Sequence, residues 1–219
     1  MENTPPLTSE IAQLICGRRS VRGGFSDRSV DEDLVRLIVY CGCCAPSSKN
    51  AQPWRIHVVQ AREVLRSVAS AVEEANAELE SFVPLDPITG VPHDEWETTV
   101  LESAQVLREV PLGLFIENRG EFSYSRRAVA DAADVGAVLM TYSLEVLGLG
   151  ALIQNMWLAA EAQGLSGVFM GDILVAEPHI RETLGMTGDL VGVLALGYSS
   201  LSSIGSRVVQ PGRVVRHER

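Results

Sequence analysis

Apolar residues recur along this chain at helical and strand spacings, and together they outline helices alternating with strands around one sheet. Thr8 to Gly17 reads as a first helix, with Ile11, Leu14 and Ile15 on one face and Gly17 placed to end it. Ser29-Val30-Asp31-Glu32 has capping-box form and opens a second helix, whose stripe is Leu34, Leu37, Ile38 and Cys41. The run from Ala45 to Pro53 holds two prolines and several turn formers, which excludes helix and central strand. Trp54 to Gln60 alternates as a strand, with Trp54, Ile56 and Val58 on one face. A long helix is expected from Arg62 to about Phe82, carrying Val64, Leu65, Val68, Val72, Ala75 and Leu79 at helical spacing.

Three prolines, a glycine and scattered charges make Val83 to Trp96 a loop or lid. Leu112 to Glu117 is a short strand, and Arg119 to Arg127 a polar loop. Val135 to Ala160 is almost continuously apolar. A carboxylate at Glu145, near its middle, is costly in lipid, so this stretch is expected to be a buried helix or helix pair and no membrane partner is expected. A strand at Val168 to Met170, a helix at Glu177 to Leu184 and a strand at Leu190 to Tyr198 complete the order. The last is apolar without interruption and should be buried on both faces. This order gives an α+β or α/β protein with one central sheet, and a single domain over residues 1–219.

The chain has 219 residues, of which 46% are apolar, enough to bury a core without covalent staples. Its net charge of -10 argues against a nucleic-acid partner but leaves room for a local anion site. The acidic, polar start at Met1-Glu2-Asn3 lacks the apolar stretch of a secretory leader, and a cytoplasmic protein is expected. Cys16, Cys41, Cys43 and Cys44 lack a second cluster with which to hold zinc and are expected to be buried reduced thiols. His57, His93, His179 and His217 show no ligand spacing, so no metal is expected.

Two segments can carry chemistry. Arg18, Arg19 and Arg22 lie within five residues, beside Ser20 and before Gly23 and Gly24. Guanidinium groups hold phosphate bidentately, and a neighbouring hydroxyl completes the ligation. Taken alone, these arginines fit a solvated turn equally well. Pro46 to Trp54 is a stiff polar loop that can present Ser47, Ser48, Asn50 and Gln52 to a polar heterocycle, although turn chemistry explains each of these residues individually. There is no glycine-rich opening of a nicotinamide-binding βαβ unit, no nucleophile elbow and no phosphate loop of the nucleotide triphosphatases.

Arg18-Arg19-Ser20-Val21-Arg22, followed by Ala45-Pro46-Ser47-Ser48-Lys49-Asn50-Ala51-Gln52-Pro53-Trp54, resembles the FMN-dependent nitroreductase family. Ile153 to Ala160 with Gly164-Leu165 is similar to the family's central helix and following turn, and Glu177 to Tyr198 to its last helix and strand. The resemblance implies an α+β fold with a central mixed sheet flanked by helices, and a homodimer with FMN at the subunit interface. It assigns Arg18, Arg19, Ser20 and Arg22 to the phosphate and ribityl chain, with Arg207, or else Arg213, completing the phosphate site. It assigns Pro46, Ser47, Ser48 and Asn50 to the isoalloxazine, partly across the interface. Phe169, Met170 and Gly171 pass over the ring and offer backbone N–H groups. The implied activity is reduction of a small nitro or quinone acceptor at the expense of NADH or NADPH, in ping-pong fashion and without an acid or base side chain. Two further readings stay open: a dehydrogenase or oxidase of a biosynthetic intermediate, and a flavin-sequestering protein without turnover. Two departures stand out. Gly23 and Gly24 both precede Phe25 where one residue is usual, which should loosen the phosphate loop, and the tail after Tyr198 lacks the usual prolines.

Overall fold

A computed structural model describes residues 8–76, 85–86, 88–92 and 98–201. In chain order the elements are α1 (Glu10–Gly17), α2 (Glu32–Cys43), β1 (Trp54–Val59), α3 (Arg62–Ala75), α4 (Val100–Glu109), β2 (Leu112–Asn118), α5 (Arg126–Ala130), α6 (Val135–Ala162), β3 (Ser166–Met170), α7 (Glu177–Leu184) and β4 (Asp189–Gly197). Single 3-10 turns lie at Ser48–Asn50 and Asp172–Ala176.

Among the described residues, four strands form one sheet in the order β1-β2-β4-β3. Every pairing among them is antiparallel, so the described sheet is not the mixed one expected. β4 is buried on both faces because helices cover both sides of the sheet, a burial pattern that parallel strands share. One face carries Phe115, Val193 and Ala195 and packs on Leu65, Val68 and Val72 of α3 and on Val106 and Leu107 of α4. The other carries Leu112, Leu114, Ile116, Leu194 and Leu196 and packs on Ile38 of α2 and on Leu149, Leu152 and Met156 of α6. The alternation along β2 thus divides the core into two layers.

Several expectations are corrected. α1 buries none of its residues: Ile11 is 71% and Ile15 44% exposed, and Leu14 is half-buried. On α2 the buried positions are Val35, Ile38 and Gly42, while Leu37 is exposed. A side chain on Gly42 would bring its Cβ within 2.4 Å of Met156 Cγ, so the glycine sets the close approach of α2 to α6. The cysteines are free but not buried: Cys16 and Cys44 are exposed, Cys41 and Cys43 half-buried. α4 was missed because its inner face includes the small Ser103 and Ala104, which weaken the apolar period. Most of Val83 to Trp96, the expected lid, lies outside the described residues, as do His93 and His217.

α6 is one continuous helix of 28 residues, and Asp134 opens it by accepting a hydrogen bond from Ala137 N at 3.1 Å. Asp134→Ala is expected to cost about 1 kcal/mol, measured as a lowered urea midpoint with an unchanged slope. A second polar fixture sits in the sheet. Glu117 of β2 is wholly buried among Arg55 and His57 of β1 and the N–H groups of Thr187 and Gly188. His57 is thus one of the partners that hold this buried carboxylate.

Candidate functional site

The arginine segment leaves the end of α1 and runs along β3. Val21 N donates to Gly167 O at 2.9 Å, and the Val21 side chain is buried. Gly167 also sits close against β4, where a Cβ on it would lie 2.1 Å from Ala195 O. Phe169, Met170 and Gly171 form the other end of the same strand and its exit. The structure thus joins two of the three predicted site segments through a single short strand.

Each arginine has a distinct setting. The Arg18 guanidinium lies 3.9 Å above the Trp157 ring of α6, a cation–π contact that orients it. Arg19 turns Nη1 back to the carbonyls of Cys16, Gly17 and Arg18, at 2.7, 3.1 and 2.9 Å. That Nη1 closes the C-terminal end of α1, where the helix itself has no basic residue. Arg22 Nε meets Glu102 Oε2 of α4 at 3.1 Å with both side chains about half exposed. Ser20 is exposed. Burial pushes the Glu161 carboxyl, on the last turns of α6, above its usual range, against the pull of Arg18, the Arg19 N–H and the Trp157 side chain. Trp157, Glu161 and Glu102 were not singled out from sequence. Of these, only Trp157, an aromatic on a helix that follows an arginine run, gave a readable signal.

The second glycine of the Gly23-Gly24 pair has φ +67°, and a Cβ on it would lie 2.7 Å from Leu201 Cγ. The chain there is tied down. Ser26 N donates to Tyr198 O, Ser200 N to Gly24 O and Ser199 Oγ to Gly23 O. Gly24 thus lets residues 23–26 pair with the exit of β4. Arg207 and Arg213 lie outside the described residues.

The serine loop is compact and strained. Ser47 Oγ accepts from Gln52 N at 3.0 Å, and Asn50 Oδ1 from Gln52 Nε2 at 3.1 Å. Lys49, Asn50 and Gln52 have φ of 50°, 55° and 48°, a region that costs non-glycine residues of order 1 kcal/mol or more each. Pro46 is exposed, and Ser47 and Ser48 are half-buried. The loop rests on α6 at Gly148, where a Cβ would meet Pro46 O and Ser47 Cβ at 3.4 Å. Gly148 lies nine residues before Trp157, about 14 Å along the helix axis. Within one chain the serine loop and the arginine segment are thus held at separate stations on α6. Phe169 is half-buried with its ring over Gly192, and the Met170 side chain is buried in the core, so Met170 can offer only its main chain to a ligand.

Arg126 is bound to Glu177 and Asp189, and Arg127 pairs with Asp131 at 2.6 Å with its side chain 85% exposed.

This arrangement of helices about an antiparallel sheet is shared with enzymes of known structure. A nitroreductase with bound FMN from Desulfitobacterium hafniense DCB-2 superposes with a TM-score of 0.72 over 96% of this chain and 100% of that one, at 17% identity. The NADPH:FMN oxidoreductase of Vibrio harveyi, complexed with NAD+, gives 0.65 over 96% and 77%, at 20% identity. The sequence profile of the nitroreductase family matches residues 15–198, and the chain belongs to that family. It is 30% identical to a nitrobenzene nitroreductase of Ectopseudomonas oleovorans over 90% of each chain. To a 4-nitrobenzoate reductase of Nocardioides sp. strain LMS-CY it is 27% identical, over 88% of this chain and 82% of the relative.

Proposed function

We propose that this chain is an FMN-dependent reductase of aromatic nitro compounds, supplied with hydride by NADH or NADPH and working as a homodimer. The observation that carries the reading is the bond from Val21 N to Gly167 O, which fixes the cationic segment against the strand ending at Phe169–Gly171. The donor set fits a phosphate monoester, with two guanidinium groups and an exposed hydroxyl on five residues. Arg18, Ser20 and Arg22 would hold the phosphate, and Met170 and Gly171 would offer main-chain N–H groups to the ring. Pro46, Ser47, Ser48 and Asn50 would line the isoalloxazine across the interface, in keeping with their separate station on α6. The chemistry that such a flavin supplies is acceptance of hydride and delivery of two electrons and two protons to a nitro group, giving nitroso product and water, by ping-pong.

The dimer reading rests on exposed apolar surface. The N-terminal half of α6 leaves Val135, Leu139, Met140, Leu144 and Leu147 exposed, and α1 leaves Ile11 and Ile15 exposed. A second copy of the chain would cover these faces. The names of the relatives at 30% and 27% identity support aromatic nitro compounds as acceptors.

The purified protein should be yellow, or take up added FMN, and lose its absorbance with NADH or NADPH under anaerobic conditions. Nitrobenzene should then restore the oxidised spectrum. A colourless protein indifferent to FMN would sink the proposal.

A further inference from the structure

Glu145 is the one carboxylate within the apolar helix α6 between Val135 and Ala160, and it is 2% exposed. Its partners all come from the end of β2 and the loop that follows. Oε1 accepts from Phe122 N at 2.7 Å and from Ser123 N at 3.3 Å, and Oε2 accepts from Asn118 Nδ2 at 3.3 Å and from Ser123 Oγ. A carboxylate is buried here because it gathers donors that no apolar side chain could satisfy.

The loop so held is a tight turn. Tyr124 N donates to Gly120 O at 2.9 Å. A Cβ on Gly120 would lie 1.8 Å from Tyr124 O. Tyr124 itself has φ +66°, a strained conformation for an aromatic residue. The turn therefore holds Phe122 and Tyr124 outward, 46% and 78% exposed. Its cations are paired within the chain: Arg119 with Glu121, Arg126 with Glu177 and Asp189, and Arg127 with Asp131.

Two links put this turn beside the serine loop. Arg119 N donates to Pro53 O at 2.7 Å, which joins the start of one to the end of the other. Glu145 also lies one turn before Gly148, the seat of Pro46 and Ser47, about 4.5 Å along the same buried face of α6.

We infer that Glu145 is a positioning residue for the electron acceptor, holding the 119–125 turn at the serine loop so that Phe122 and Tyr124 bind the acceptor's aromatic ring and not its charge. This rests on the flavin reading above. Glu145→Gln places an amide against Asn118 Nδ2, and Asn118 cannot turn over without giving up the bond from Gly120 N to its Oδ1. The anchor is weakened while the side-chain volume is kept.

The test uses the FMN-loaded protein with nitrobenzene, 4-nitrobenzoate and ferricyanide as acceptors. In Glu145→Gln and in Phe122→Ala, KM for both nitroarenes should rise about tenfold, with their ratio unchanged and kcat and the ferricyanide rate near wild type. The dissociation constant of nitrobenzene for the oxidised protein, titrated by perturbation of the flavin spectrum without reductant, should rise in parallel. Equal losses with ferricyanide and nitroarenes, or an unchanged KM, overturn the inference. Should Glu145→Gln fail to fold, Phe122→Ala, altered at an exposed side chain, decides alone. A wild-type protein that binds FMN and reduces ferricyanide but no nitroarene refutes the acceptor class, and this inference with it. A protein that binds no FMN refutes the flavin reading itself.

Discussion

Glu117→Gln is expected to cost about 3 kcal/mol of stability at neutral pH, a loss that should vanish in acid. Burial alone would push this carboxyl up. The His57 hydrogen bond, the N–H groups of Gly188 and Thr187 and the Arg55 charge outweigh burial and bring it from 4.5 to about 2. Because the folded protein holds its proton less tightly than the unfolded chain, the contribution is complete above about pH 4.5. It is lost as pH falls through about 2. The interval between the two values corresponds to about 3 kcal/mol. A glutamine still accepts from Gly188 N, but its amide would face Arg55 and His57 with no charge to offer them. Urea unfolding of both proteins from pH 7 down to about pH 3 provides the check. The gap in stability should be widest at neutral pH and close as the wild type approaches protonation. A gap that stays constant across this range would show that Glu117 acts through packing alone.

The contrast between Glu117 and Glu145 shows what the sequence could and could not disclose. Both stand in apolar runs, and such a carboxylate announces that some donor set waits for it. The identity of that set depends on residues distant along the chain: 57, 187 and 188 for one, 118, 122 and 123 for the other. Strands and most helices were readable because their periods are local, and β3, α7 and β4 fall where the pattern placed them. Strand direction was not, because helices on both faces of an antiparallel sheet bury β4 as thoroughly as a parallel sheet would. The arginine cluster was visible as a cluster. That Arg19 closes α1 while Arg18 stacks on Trp157 follows from tertiary placement, which no spacing encodes.

Arg22→Ala should raise the dissociation constant for FMN about tenfold to a hundredfold, the range expected for one charge-assisted phosphate contact of about 1.5–3 kcal/mol. Arg22 now spends its Nε on Glu102 at 3.1 Å, both side chains standing partly in water, where such a pair contributes little to stability. Removing the arginine should accordingly leave the unfolding midpoint almost unchanged while flavin is lost, which separates a binding role from a structural one. Glu102→Gln supplies the opposing arm. If the Glu102 carboxylate competes with a phosphate for the Arg22 guanidinium, its neutralisation should tighten FMN binding a few-fold and reduce the dependence of that binding on salt. Quenching of FMN fluorescence, titrated at two ionic strengths for the wild type and both variants, measures all of these quantities. Equal affinity in wild type and Arg22→Ala would remove Arg22 from the site and leave Arg18 and Ser20 as the candidates for the phosphate. Tighter binding in Glu102→Gln together with weaker binding in Arg22→Ala would assign the phosphate to the segment that Val21 fastens to β3.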